Sequence, residues 1–450
     1  MADCLAATGG TLLPLVLALV LLALGAAAVL TMRRGGRLRR GAALGVVLAL
    51  VLSASVAAST GLDAGPASAA DAACTTPGAD PTQTPAPATP VIGADQEVIF
   101  ASGGVTFHGS YRGPVDTSAP VPGVAIVVGT GGVDRNGTAG DLQTDAYSWL
   151  ADLLSAQGIA SLRYDKLGTG ATGLGPYTAD PAEMLPLSYE QLRVQPARDA
   201  LSFLAAQPGV DTGRLLLLGH SEGGAVALDI ATHPGSAPPL AGLLLVEPAY
   251  THILDIVSRQ FTQEMDEVVA AGGMTADDEA TLTTWMREGV DQIRSGTPPY
   301  PAPGPVPLPG ATGFTQYVQG IIQSNVYGSD PAQMVITHAY RTAYGKDFDA
   351  IVADELASQV TIPTLITCGT SDFNTPCGDG SPGSGVLAVA AAFAPGVAQL
   401  EVIPDMVHIL RDTGEDDVPA IADQLTYPFS QDFAARFSAY VARFSTEAAR

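Results

Sequence analysis

The sequence predicts an α/β protein, built on a mostly parallel eight-stranded sheet with helices on both faces. Three observations predict it. From Val98 onward, short apolar runs alternate with amphipathic stretches, the pattern of a parallel sheet wrapped by helices. The later runs are largely apolar, Leu215–Leu218 and Gly242–Val246 at every position, as strands covered on both faces should be. Finally, Leu215–Leu218 passes through Gly219-His220-Ser221-Glu222-Gly223-Gly224 directly into Ala225-Val226-Ala227-Leu228: a buried strand, a tight turn and a helix of small residues.

The elements follow in order. Glu97–Phe100 and Thr106–Tyr111 alternate apolar with polar residues and predict an antiparallel edge hairpin turning at Ser102-Gly103-Gly104. Val124–Val128, Ala160–Tyr164, Leu215–Leu218, Gly242–Val246, Thr364–Cys368 and Gln399–Ile403 supply the other strands. Helices are predicted over Asp145–Gln157, Gln195–Gln207, Gly224–His233 and Tyr427–Thr446. The last carries Phe429, Phe433, Phe437, Tyr440, Val441 and Phe444 at helical spacing, a core face. Between Gly242–Val246 and Thr364–Cys368 the alternation stops for about 115 residues. Ala249–Gly272, Ala276–Arg294, Phe314–Ser324 and Asp330–Tyr344 read as helices there, and Thr297–Pro309, with seven prolines, reads as neither helix nor strand. An insertion of this size in a compact domain is normally a functional lid. The core is therefore 95–247 with 360–450, and the helical lid is 248–359, inserted ahead of the strand that ends in Cys368.

The first 62 residues are a different material. Cys4 to Met32 carries no charge, and Leu12–Leu30 is nearly all Leu, Val and Ala, long enough to cross a bilayer. Arg33, Arg34, Arg37, Arg39 and Arg40 follow, then a second uncharged run, Gly41–Leu62. In one reading both runs are membrane helices, and the basic loop between them stays in the cytoplasm. In the other, translation starts at Met32 and the segment to about Ala70 is a signal peptide. Both readings export the remainder, either membrane-anchored or secreted. Residues 63–94, rich in Ala, Pro and Thr, read as a semi-rigid linker. Cys74 only faintly resembles a lipidation site. In an oxidising compartment Cys368 and Cys377 can close a small loop; the alternative is two buried thiols.

Net charge is −24 with 21 Lys plus Arg, which argues against a nucleic-acid partner and for solubility without naming a substrate. The chemistry lies in the turn. Its form, G-x-S-x-G, is that of a nucleophile elbow, in which a sharp strand-to-helix turn exposes a serine hydroxyl. A serine needs a base to take its proton, the base needs an orienting acid, and the developing oxyanion needs donors. The elbow predicts the chain order serine, acid, histidine. Ser221, Asp372 after strand Thr364–Cys368, and His408 after strand Gln399–Ile403 meet it, each just past the carboxyl end of a parallel strand, where open sheets bind ligands. Asp379 and Glu247 are the rival acids. Of the six histidines, His220 belongs to the turn, His108 to the edge hairpin and His233 to a helix end, while His252 and His338 lie in the lid. The oxyanion donors are the N–H of Glu222 and that of Thr130 or Gly131, in the loop Gly129-Thr130-Gly131-Gly132. No Lys-Ser/Thr follows that loop, which argues against a nucleotide.

Several segments together resemble the α/β-hydrolase superfamily, in its bacterial esterase and dienelactone-hydrolase or serine-aminopeptidase-like branch. Gly129-Thr130-Gly131-Gly132-Val133-Asp134-Arg135-Asn136-Gly137 resembles that branch's G-S-G-x-x-D-R-x-G loop. Arg163-Tyr164-Asp165-Lys166-Leu167-Gly168-Thr169-Gly170 resembles its R-Y-D-x-R-G-x-G stretch. Ile362-Pro363-Thr364-Leu365-Ile366 and Gly369-Thr370-Ser371-Asp372 resemble its approach to the acid. Thr130 stands where serine is usual, and Leu167 where arginine is usual. The resemblance covers roughly Glu97 to Arg450 except the lid. It implies a serine hydrolase acting on a small-molecule ester, or on an amide if an acidic pocket receives a free amine, with no metal and no cofactor. Asp255, Glu264, Asp266 and Glu267 are the acids that the lid offers for such a pocket. A non-catalytic binding protein on the same fold is the third reading. Oligomeric state is not written in the sequence.

Overall fold

The structure, a computed structural model, describes residues 89–140, 142–184, 186–270, 275–295, 343–414 and 421–446. Eight strands make one sheet: Gln96–Ser102 (β1), Val105–Arg112 (β2), Val121–Val127 (β3), Ala160–Tyr164 (β4), Val210–His220 (β5), Gly242–Val246 (β6), Thr364–Gly369 (β7) and Ala398–Ile403 (β8). Their spatial order is β1-β2-β4-β3-β5-β6-β7-β8. β2 runs antiparallel to both β1 and β4, and every later pairing is parallel. The β1–β2 hairpin reverses at Gly103 and Gly104, whose φ values of 55° and 81° are left-handed and matched to the strand twist.

The run of four leucines shows how a central strand is buried on both faces. Leu215 and Leu217 join one core cluster and Leu216 and Leu218 the other, and all four are fully buried. The first cluster is closed by the helices Gln195–Ala205 (α2), Glu222–Thr232 (α3) and Val386–Ala392 (α8). The second is closed by Ala146–Ala156 (α1) and Gln431–Thr446 (α9). Between β6 and β7 stand Ile253–Ala270 (α4), Ala276–Ser295 (α5), Ala343–Asp349 (α6) and Ala353–Ala357 (α7).

Three predicted boundaries shift for physical reasons. The strand before Ser221 runs to His220 and α3 starts at Glu222, so Ser221 alone makes the turn. The last helix starts at Gln431, not Tyr427. Phe429 pairs with Arg411 as a β-bridge and stacks on Trp149 at 4.3 Å, while Ser430 Oγ accepts from Phe433 N as a helix cap. The helix after β6 starts at Ile253, not Ala249; before it Ala249 N donates to Ser221 O at 2.9 Å, which ties this stretch to the turn. The predicted elements Phe314–Ser324 and Thr297–Pro309 lie outside the described residues, as do Asp330–Tyr344 up to its last two residues, the N-terminal apolar runs, the linker through Ala88 and Cys74. Among the described residues no helix is long and apolar enough to cross a membrane.

Candidate active site

The carboxyl ends of β3, β5, β7 and β8 bring the predicted residues to one edge of the sheet. Ser221 has φ 57° and ψ −123°, a conformation L residues rarely adopt, held by Ser221 N donating to Val246 O at 3.1 Å. The two glycines of the motif have steric causes. A Cβ on Gly219 would lie 2.0 Å from Gly223 O, and one on Gly223 2.2 Å from Val127 O. Strand and helix therefore meet backbone to backbone, which throws the serine outward.

Asp372, past the end of β7, is almost fully buried and fully engaged. Its Oδ1 accepts from Asn374 N at 2.7 Å and Thr375 N at 2.9 Å; its Oδ2 accepts from Thr375 Oγ1 at 2.7 Å and from His408 Nδ1 at 2.7 Å. Burial alone would raise its pKa. The charge and hydrogen bond of His408 outweigh that and hold it well below the usual carboxylate range. The loop is pinned by the Cys368–Cys377 disulfide, Cα atoms 5.4 Å apart, and Arg259 of α4 donates to Phe373 O at 2.5 Å and Asn374 O at 2.9 Å.

Of the rival acids, Asp379 is exposed and closes its own turn through Ser381. Glu247 is wholly buried behind Asp372. It accepts from Thr367 Oγ1 at 2.9 Å and Gly369 N at 2.7 Å, and burial followed by the charge of Asp372 pushes its pKa far up, which favours its neutral form. His108 and His233 pair with Glu97 and Asp229 at exposed positions, His252 Nδ1 meets Asp349 O, and His338 lies outside the described residues. His408 lines the same cavity as Ser221.

Sequence reasoning missed the residues that hold this edge together. Gly129 N donates to Tyr147 Oη at 2.9 Å. That hydroxyl donates to His220 Nδ1 at 3.0 Å, which leaves His220 Nε2 to donate to His408 O at 3.0 Å. This chain fixes the His220 tautomer. Burial, reinforced by the neighbouring His408, drives the His220 pKa down to about 3, so it is neutral and not the base. Arg193 Nε donates to Glu222 Oε1 at 2.9 Å and Nη2 to Val128 O at 2.6 Å, and Lys166 Nζ donates to Gly129 O at 2.5 Å. No periodicity or motif marks Tyr147 or Arg193. Lys166 lies in the Arg163–Gly170 stretch at a position where the R-Y-D-x-R-G-x-G pattern specifies no residue.

The cavity has a volume of about 260 Å³. Thr130, Gly131, Ser221, Glu222 and His408 line it, together with the apolar Val133, Leu142, Ile253, Ile256, Val257 and Ile409. The Glu222 carboxylate is 2% exposed and paired with Arg193. Asp255 and Asp266 line a separate cavity of about 550 Å³ beside α4 and α5; the side chains of Glu264 and Glu267 are outside the described residues. Among the described residues, no cluster of three or more His, Cys, Asp and Glu side chains could hold a metal ion.

The strand order with an antiparallel second strand, and the strand-turn-helix elbow after the fifth, define the α/β-hydrolase fold, and this chain has it. No protein-family model and no curated protein matches the chain. Solved structures similar to it include a hypothetical protein from Pseudomonas aeruginosa, 15% identical, covering 80% of this chain and 96% of that one at a TM-score of 0.45. A proline iminopeptidase of Mycobacterium smegmatis is 15% identical over 78% of this chain and 100% of its own, TM-score 0.44. A highly thermostable carboxyl esterase of Bacillus coagulans is 16% identical over 78% and 98%, TM-score 0.42. Likenesses this distant carry nothing about substrate, and the fold is read from the strand order itself.

Proposed function

We propose that this chain is an exported serine hydrolase that cleaves carboxylic esters with an uncharged acyl group. The observation that carries the reading is the opening of a positive-φ serine and a histidine, bonded through Nδ1 to a buried carboxylate at 2.7 Å, onto one cavity. In this reading Ser221 Oγ attacks the ester carbonyl and His408 Nε2 takes its proton. Asp372 holds the Nδ1–H tautomer and stabilises the imidazolium. The N–H groups of Glu222 and of Thr130 or Gly131 receive the oxyanion. His408 returns the proton to the leaving alcohol, and water, deprotonated by the same imidazole, resolves the acyl-enzyme. None of these steps needs a metal or cofactor.

The lining favours an ester over an aminoacyl amide. A free amine needs an unpaired carboxylate. Among the described residues the one carboxylate lining this cavity, that of Glu222, faces Arg193, and two of the acids of the inserted segment, Asp255 and Asp266, face another cavity. A fluorophosphonate should therefore label wild type stoichiometrically at Ser221 and leave Ser221→Ala unlabelled, and acyl esters should turn over where aminoacyl amides do not. Retained turnover in a folded Ser221→Ala protein would sink the mechanism; aminoacyl amides outrunning esters would sink the substrate class. Export, with anchoring by the apolar N-terminal runs, rests on the sequence. Protease added to intact cells should cut the 63–94 linker, and complete protection would refute it.

A further inference from the structure

The loop after β3 carries two peptide groups whose orientations are set from behind. In the Val128–Gly129 peptide, the carbonyl accepts from Arg193 Nη2 at 2.6 Å and the N–H donates to Tyr147 Oη at 2.9 Å, so both ends are used. In the Gly129–Thr130 peptide, the carbonyl accepts from Lys166 Nζ at 2.5 Å. A trans peptide points its C=O and N–H in opposite directions. The Thr130 N–H is therefore aimed away from Lys166. Thr130 lines the cavity with Ser221, Lys166 does not, and among the described residues the Thr130 N–H donates to no protein acceptor. Lys166 is 7% exposed and reaches this carbonyl from the loop after β4.

We infer that Lys166 is a positioning residue of the oxyanion hole: by holding the Gly129 carbonyl it fixes the Thr130 N–H, rather than that of Gly131, as the donor opposite Glu222. The inference rests on the serine-hydrolase reading above. It gives a purpose to a buried amine that otherwise only costs desolvation. The amine keeps an N–H to donate in either protonation state, so the device survives the fall in pKa that burial imposes on Lys166. A donor aimed in advance at the place where charge develops acts in the transition state and hardly at all on the bound ester.

The test compares wild type with Lys166→Met, which keeps the stem and removes the donor, and with Thr130→Pro, which removes the N–H itself and leaves Lys166 in place. The probes are a p-nitrophenyl ester and a trifluoromethyl ketone that forms a tetrahedral adduct on the serine. Each variant should lose kcat by roughly 10²-fold with KM held within about threefold, as for loss of an oxyanion donor. Affinity for the ketone should fall in proportion to kcat, and the double variant should be no worse than the worse single one. A kcat within twofold of wild type in Thr130→Pro, or in a folded Lys166→Met, overturns the inference. So does a fall in kcat without a fall in ketone affinity. If Lys166→Met does not fold, Thr130→Pro still overturns the inference when its kcat stays within twofold of wild type. A wild-type protein that neither a fluorophosphonate nor the ketone modifies means that the hydrolase reading has failed and takes this inference with it; a wild type that reacts while the variants match it means that only the positioning role has failed.

Discussion

Lowering the pH from 7 to 5 should cost this fold about 2 kcal/mol through one side chain, His220. Its ring is 5% exposed, and its pKa falls from the ordinary 6.5 to about 3 because burial, then the neighbouring His408, disfavours the charged form. Below pH 6.5 the unfolded chain takes up a proton that the folded chain refuses, so the unfolded state gains. Stability is complete above about 6.5 and falls by about 1.4 kcal/mol per pH unit down to about pH 3. Integrated from pH 7 to 5, that slope gives the figure above. Other groups titrate too: Asp372, whose pKa is lowered, loses its contribution only below the carboxylate range, and Glu247, whose pKa is raised, stabilises at low pH and loses that as pH rises. The assay therefore takes a difference. Urea unfolding of wild type and His220→Gln at pH 5, 6, 7 and 8 should show wild type losing about 2 kcal/mol relative to the variant between pH 7 and 5, with no relative change from 7 to 8. A wild-type-minus-variant gap that stays flat from pH 7 to 5 would show that His220 titrates in the folded state, and would refute its place in the Tyr147–His408 relay.

Gly219→Ala drives a Cβ to within 2.0 Å of Gly223 O, and since the clash is backbone on backbone the elbow must open. It should lower stability by more than about 4 kcal/mol or yield no soluble protein, and a melting temperature near wild type would count against the elbow as described. Cys368→Ser with Cys377→Ser releases the loop of Asp372 and should cost about 2–3 kcal/mol in denaturant unfolding, with a drop in kcat; free alkylation of both thiols in native, unreduced protein would remove the premise.

Much of this was legible in the sequence, for reasons that can be traced. A strand buried on both faces is mostly apolar, as Gly242–Val246 is throughout; Ala160–Tyr164 shows the same boundaries in sequence and structure although it buries Ser161 and Arg163, the latter paired with Asp95. Gly219 and Gly223 are demanded by backbone contacts under 2.5 Å, which is why the motif carries the turn so faithfully. The helix ends were less legible. Phe429 continues the apolar spacing of the helix it precedes, but Pro428 opposes a helix there, and hydrogen bonds to Leu410, Arg411 and Asp412, distant in sequence, keep the stretch extended. The supports of the site were illegible. Tyr147, Lys166 and Arg193 bond to the backbone of other elements, and a backbone acceptor leaves no mark on the residue it belongs to.

The two carboxyl groups behind His408 show why chain position alone could not decide the acid. Glu247 and Asp372 both follow parallel strands, β6 and β7, and both end inside the protein. Asp372 is met by two backbone N–H groups, a hydroxyl and an imidazole, enough donors to replace the water it has lost. Glu247 is met by one hydroxyl and one N–H, and by the negative charge of Asp372 itself. Two carboxylates in contact in a dry interior cannot both ionise, so the proton settles where compensation is weaker. The opposed shifts favour the proton on Glu247 and the charge on Asp372. The charge so favoured is on the carboxylate bonded to His408 Nδ1, where an imidazolium forming at His408 would need it.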